Sequence, residues 1–310
     1  MTGVPLELLL SPWALALLGL LVGSFLNVVV HRFPLMLERQ WWSDVAGQLG
    51  DGASHQRVFG NAAPAALAQT AQALTSTMST LPPLGLSQPA SRCPSCAQRI
   101  RWYQNVPVFS WLQLRGRCAA CQAPIGWRYP LIELLTALLF GLMGWRFGPS
   151  PVALVWCAMV ALMVTLAAID WDTTLLPDAL TLPLLWGGLV AVALGLVPAL
   201  SLPDALWGVV AGYLSLWSVY WLFKLATGKE GMGYGDFKLL AALGAWLGWQ
   251  AILPIVLMAS AIGALVGLAM KAGGALREGR FVPFGPFLVG GGLVVLLAGV
   301  PRVLGWIGWA

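Results

Sequence analysis

The chain has 310 residues, of which 59% are hydrophobic and only 9% charged, where ordinary soluble domains carry about 25% charged residues. Glycine shows no three-residue period and the chain is too apolar to stay disordered, which excludes the collagen-like and disordered classes. The formal net charge of +5 comes from Lys and Arg scattered between apolar runs, so the basic balance does not point to nucleic acid.

Apolar runs of roughly 17–25 residues read as membrane spans. They fall near 10–30, 131–147, 152–170, 179–199, 205–224, 237–249, 252–270 and 285–301, the sixth being the shortest. The expected fold is therefore an all-α polytopic membrane protein of about eight transmembrane helices. The first run has no Lys or Arg ahead of it and is followed by Arg32 and Arg39, so it reads as a retained span and not as a signal peptide. If segment 32–129 is cytoplasmic, so are the loops at 171–178, 224–236 and 271–284. Fifteen of the 17 Lys and Arg then lie inside, Lys271, Arg277 and Arg280 among them, and only Arg146 and Arg302 lie outside. The positive-inside rule selects this orientation, with both termini outside. Glycines four apart (Gly19 and Gly23, Gly208 and Gly212, Gly244 and Gly248, Gly263 and Gly267) are expected to let helix backbones approach closely. No internal repeat stands out.

Segment 32–129 is the one stretch long enough for a domain outside the membrane. From Val58 to Ser91 it has no charged residue, and the region of about 58–91 reads as a low-complexity loop or insertion. Beyond it come Cys93-Pro-Ser-Cys96 and, after 21 residues, Cys118-Ala-Ala-Cys121. Two C-x-x-C pairs at this separation match a tetrahedral zinc site, each pair supplying two thiolates from a tight turn. A reducing cytoplasm disfavours the alternative of two disulfides. Four thiolates leave no open position, so the zinc is expected to be structural. Cys157 lies within an apolar run and reads as a small core residue.

Charged groups at membrane depth are costly and usually functional. Asp170 ends the third run in Ala-Ala-Ile-Asp170-Trp-Asp172, and Asp236 opens the sixth in Gly233-Tyr-Gly235-Asp236-Phe-Lys238. Both are expected at the cytoplasmic face, on different helices but at one depth. Two carboxylates that meet in low dielectric can share one proton, so that one acts as base and the other as acid in peptide hydrolysis. Asp172 points roughly 200° away from Asp170 on a helix, and Asp170 is the deeper of the two. Asp178 after Pro177 reads either as a helix cap or as a direct participant. Glu133, just inside the second run, reads either as a helix N-terminal acid or as a site residue. A phosphate loop is excluded, because Gly228-Lys229 is followed by Glu230 and not by Ser or Thr. A transporter and a zinc-bearing scaffold are the competing classes. The first expects its acids at the midplane, and the second leaves the paired aspartates without a role.

Taken together, these residues resemble the type IV prepilin peptidases, the bifunctional leader peptidase/N-methyltransferases of bacterial pilus and type II secretion systems. The likeness is carried by Gly23-Ser-Phe-Leu-Asn27-Val-Val-Val-His31-Arg32-Phe-Pro34, the four cysteines, and Asn105-Val-Pro107 with Leu114-Arg-Gly-Arg-Cys118 between them. It continues through Tyr129-Pro130-Leu-Ile-Glu133, the segment from Asp170 to Asp178, and Gly233-Tyr-Gly235-Asp236. The uncharged stretch at about 58–91 is longer than the family leads one to expect. The resemblance implies a G-x-G-D intramembrane aspartyl peptidase with Asp170 and Asp236 as the catalytic pair. It implies a first transmembrane helix over 1–31, a cytoplasmic zinc segment over 32–129 and a peptidase domain over 130–310. The implied substrates are prepilins and pseudopilins, cut after a glycine that follows a basic leader, and the new N-terminal residue, usually Phe, is then methylated from S-adenosylmethionine. The implied setting is the bacterial inner membrane, with lipid as a partner, no nucleic acid, and oligomeric state left open. The methyl-donor residues are not legible. Gly116, Arg117 and Glu133 are the candidates, in the cysteine segment and at the adjoining ends of the first two spans.

Overall fold

A computed structural model of the chain describes residues 6–274 and 282–309, so Arg277 and Arg280 of the charge argument lie outside the described residues. Within these residues the regular structure is helical, apart from two isolated antiparallel bridges. In chain order the helices are α1 (Leu6–Leu9), α2 (Pro12–Gly50), α3 (Gly52–Phe59), α4 (Ala65–Thr80), α5 (Phe109–Gln113), α6 (Arg128–Phe147), α7 (Pro151–Thr173), α8 (Asp178–Ala193), α9 (Leu202–Thr227), α10 (Tyr234–Leu247), α11 (Ile252–Ala272), α12 (Gly285–Ala298) and α13 (Val300–Trp306).

Each of the eight apolar runs carries a helix, but they are not equally long. Among the described residues, five helices are long and apolar enough to cross a membrane: α2, α6, α7, α9, and α11 with the turn before it. A sixth candidate is the pair α12 and α13, bent by 109° at Gly299, whose φ of +90° suits glycine. α8 has 16 residues and α10 has 14. At 1.5 Å per residue, 14 residues reach about 21 Å, short of the roughly 30 Å hydrocarbon core.

The chain forms two compact units, one of Met1–Leu26 with Arg128–Ala310 and the other of Asn27–Trp127. In the first, α10 is the inner helix. It touches α8, α9 and α12, and all but four of its 14 residues are buried. Glycine allows this density. A methyl placed on Gly208 of α9 would collide with the Gly244 carbonyl of α10, and one on Gly212 would sit 2.7 Å from the Leu240 carbonyl oxygen. Gly19 and Gly23 do the same for α2 against α6, with 2.7 Å to the Ala137 Cα and 2.8 Å to the Glu133 Cα. The expected close packing is present at these pairs. At Gly263 and Gly267 it is looser, with side chains as the nearest atoms.

In the second unit α2 continues without a break through Pro34 to Gly50, so the first helix runs well past the apolar stretch. Of the loop or insertion expected over about 58–91, the loop alternative is corrected: residues Ala65–Thr80 form α4. The segment lacks charge but is rich in alanine, the best helix former, and its threonines return their hydroxyls to carbonyls one turn back. A proline-bearing loop follows, anchored to α2 where Arg32 donates to the Gly85 carbonyl at 3.0 Å and Arg39 to the Pro82 carbonyl at 2.7 Å.

The two cysteine pairs stand on copies of one motif, 25 residues apart. The Cys93 N–H donates to the Gln98 carbonyl as the Cys118 N–H does to Ala123, and Ile100 bonds Ser91 as Ile125 bonds Gly116. Ala97 and Gln122 both take a positive φ. This short repeat is visible in the sequence as Arg92-Cys-x-x-Cys96 against Arg117-Cys-x-x-Cys121 once the spacing is known.

Candidate active site and cysteine site

Only three acids are buried among the described residues: Glu133, Asp170 and Asp236. The buried threonines of the same unit satisfy their hydroxyls on their own helices, Thr136 on Ile132 and Thr165 on Ala161, each at 2.7 Å.

Asp170 lies in the last turn of α7, 4% exposed, and accepts a hydrogen bond from the Gly285 N–H at 2.9 Å. That N–H belongs to the first residue of α12, where a backbone donor has no partner inside its own helix. Asp236 lies in the first turn of α10, 6% exposed. Gly233, not Asp236, caps that helix, and the Asp236 N–H donates to the Gly233 carbonyl at 3.3 Å. The two carboxylates lie within electrostatic reach of one another. Leu176, in the turn between α7 and α8, ties their supports together. A methyl on Gly235 would sit 2.6 Å from the Leu176 Cβ, and one on Gly285 would sit 3.4 Å from its Cδ1 and 2.6 Å from Asp170 Oδ2. The glycine beside each aspartate is thus a place where any larger residue would displace the site.

The remaining acids of this region are held in ion pairs. Arg128, the first residue of α6, pairs with Asp172 and also donates to the Ala168 carbonyl at 3.0 Å, so Asp172 is engaged away from Asp170. Asp178 does not cap α8, since Pro177 holds that position without a side-chain bond. Instead Lys238, two residues beyond Asp236, donates to both its oxygens at 2.6 and 2.8 Å. Lys224 bonds Glu230 at 2.9 Å and holds its carboxyl below the usual carboxylate range. Glu133 stands on the side of α6 that Gly23 approaches. Sequence reasoning singled out neither Leu176 nor Gly285. The available signal for the latter was Pro283-Phe-Gly285-Pro286 at the head of an apolar run.

In the second unit the four sulfurs of Cys93, Cys96, Cys118 and Cys121 lie within 4.8 Å of one another, with Cys93 and Cys121 at 3.8 Å. None is in a disulfide. A tetrahedral ion with Zn–S bonds of about 2.3 Å requires sulfur separations of about 3.8 Å, so the set fits zinc. The backbone N–H groups of Cys96 and Ser95 point at the Cys93 sulfur and pull its thiol down to about 6. Those of Cys121 and Ala120 lower Cys118 in the same way. Thiolate is the form a metal binds. Gly116 and Arg117 belong to the second knuckle, with Gly116 packed on Trp111 and Arg117 bridged to Pro124.

Residues 17–147 match the family model of the bacterial peptidase A24 N-terminal domain, and residues 157–268 match that of the type IV leader peptidase family. A prepilin leader peptidase/N-methyltransferase of Stutzerimonas stutzeri is 48% identical over 305 residues, 95% of each chain. The protein of the same name from Pseudomonas aeruginosa is 48% identical over 288 residues, 91% of this chain and 89% of its own. That from Aeromonas hydrophila is 47% identical over 283 residues, with the same coverage. No solved structure matches the chain.

Proposed function

The chain belongs to the prepilin leader peptidase/N-methyltransferase family, and from that premise we propose that it cleaves prepilins and pseudopilins with Asp170 and Asp236 and methylates the amine it frees. The observation that carries this reading is the pair of buried carboxylates on α7 and α10, whose neighbouring glycines Gly285 and Gly235 both pack on Leu176. Buried acids with so little around them to neutralise them are expensive unless they work.

The pair shares one proton. Its ionised member takes a proton from water as the water oxygen attacks the scissile carbonyl carbon, and its protonated member gives its proton to the carbonyl oxygen. The tetrahedral species then breaks its C–N bond while the departing amine takes up a proton. The leader leaves with a carboxylate and the pilin keeps a new N-terminal amine. The Gly285 N–H holds one oxygen of Asp170 in place through this sequence, and the Lys238–Asp178 pair fixes the start of α10, and with it Asp236, against α8. S-adenosylmethionine, when bound, would supply the methyl group that the freed amine accepts.

The helices thread the bacterial inner membrane eight times, α8, α10 and the bent α12–α13 pair included, with the cysteine unit and the aspartates on the cytoplasmic side. The charge distribution supports this orientation. A substrate's apolar helix then lies in the membrane while its basic leader stays in the cytoplasm, and the scissile bond sits at the depth of the pair. Cys93, Cys96, Cys118 and Cys121 would hold a zinc ion, which with four thiolate ligands would stabilise the unit and take no part in bond cleavage.

The test is cleavage of a prepilin-like peptide by purified enzyme with S-adenosylmethionine present, read by mass spectrometry. The expected product begins after the glycine and is heavier by one methyl group. Asp170→Asn and Asp236→Asn are each expected to lower cleavage by about 10²–10⁴-fold with membrane level unchanged. Normal cleavage by either variant overturns the pair.

A further inference from the structure

The second unit has a charge balance that the proposed reaction does not use. From Gly52 to Trp127 it contains six arginines and no acidic residue. Two of these, Arg92 and Arg99, face each other directly across an antiparallel bridge. Side chains opposed in this way stand on one face with Cβ atoms about 5 Å apart, and like charges there repel. Among the described residues neither guanidinium has a hydrogen bond or an ion pair. The motif itself does not demand the pairing, because the equivalent bridge in the second knuckle sets Arg117 against Pro124. Both arginines are exposed, so an anion arriving from outside the protein can reach the two together.

The same two residues line a groove of about 500 Å³, ample for a small ligand. Its walls include Pro82, Pro89, Ser87 and Gln88, and the loop that forms them is fixed from α2 by Arg32 on the Gly85 carbonyl and Arg39 on the Pro82 carbonyl. Those anchors also give the groove a height. α2 carries no charge through Val30, and Arg32 and Arg39 follow about 3 and 14 Å further along the helix. That interval contains the headgroup layer, about 5–8 Å thick on each side of the bilayer core.

We propose that this groove seats the phosphate of an anionic phospholipid headgroup between Arg92 and Arg99. Guanidinium pairs suit a phosphate because their N–H groups form parallel, charge-assisted bonds to its oxygens. The cationic methyl donor is a poor occupant of an acid-free, arginine-lined groove.

The test uses the full-length, zinc-loaded protein and native mass spectrometry with phosphatidylglycerol, phosphatidylcholine or inorganic phosphate. Wild type and the control Arg57→Gln are expected to retain phosphatidylglycerol over phosphatidylcholine. R92Q/R99Q is expected to lose that preference by about tenfold or more, with zinc content unchanged, and R92K/R99K to keep part of it. Arg99→Gln alone, further from the cysteines, serves if the double variant loses zinc. Equal retention of phosphatidylglycerol by the Gln variants overturns the proposal. Binding of inorganic phosphate without lipid preference also overturns the headgroup assignment and makes the groove a soluble-anion site.

Discussion

Gly285 shows how closely a single residue constrains the buried carboxylate of Asp170. Its N–H holds Asp170, and a methyl in its place would stand 2.6 Å from the Asp170 oxygen it now serves. Gly285→Ala is therefore expected to push the carboxylate aside while leaving α12 intact. Displacements of about 1 Å at a reacting group cost on the order of a hundredfold in rate, so peptide cleavage should fall by about that factor at normal protein level. Unchanged turnover would show that Asp170 does not depend on this contact. The acids themselves were legible from sequence because carboxylates in apolar runs are rare and few. Gly285 was not legible, because its partner lies 115 positions away and no local pattern encodes that distance. Lys238 was hidden for a similar reason, its bond to Asp178 spanning 60 positions.

Among the helices, the α9–α10 crossing fixes where Asp236 can stand. Gly208 and Gly244 face each other with backbone against backbone, and a side chain on either would overlap the other's carbonyl. Gly244→Val is expected to destabilise the solubilised protein by about 1–3 kcal/mol, the cost of overpacking a tight core, seen as a lowered thermal midpoint. Gly290→Ala, with nothing within 4 Å of the new methyl, is expected to be neutral or slightly stabilising, since alanine is the better helix former. Equal effects at the two positions would mean that the crossing is not close-packed. Four-residue glycine spacing announced this contact, because packing of that kind has a sequence period. Length did not announce itself as well. α8 stops at Ala193 although its apolar run was read to 199, whereas α10, from Tyr234 to Leu247, matches the short run that the sequence shows. α4 was missed because absence of charge suggested a loop, whereas alanine content decides the backbone there.

At the scale of the whole molecule, the chain divides its work between a helical unit whose core is built around α10 and a unit of Asn27–Trp127 with little core of its own. Buried apolar side chains in the second unit are few, and Cys93 is one of them. A small region with so little to bury depends on cross-links or metal for its fold. Stripping zinc from the full-length protein with a chelator, or replacing Cys93 and Cys118 together with Ser, is therefore expected to raise amide exchange across residues 91–125. Exchange in α10 should stay slow, because its contacts are to α8, α9 and α12 and owe nothing to the sulfurs. Hydrogen exchange read by mass spectrometry separates the outcomes. Protection of 91–125 that survives metal removal would make the four cysteines dispensable to the fold. Loss of protection in both regions would make the two units one cooperative body, with the metal holding the aspartate pair as well as the knuckles.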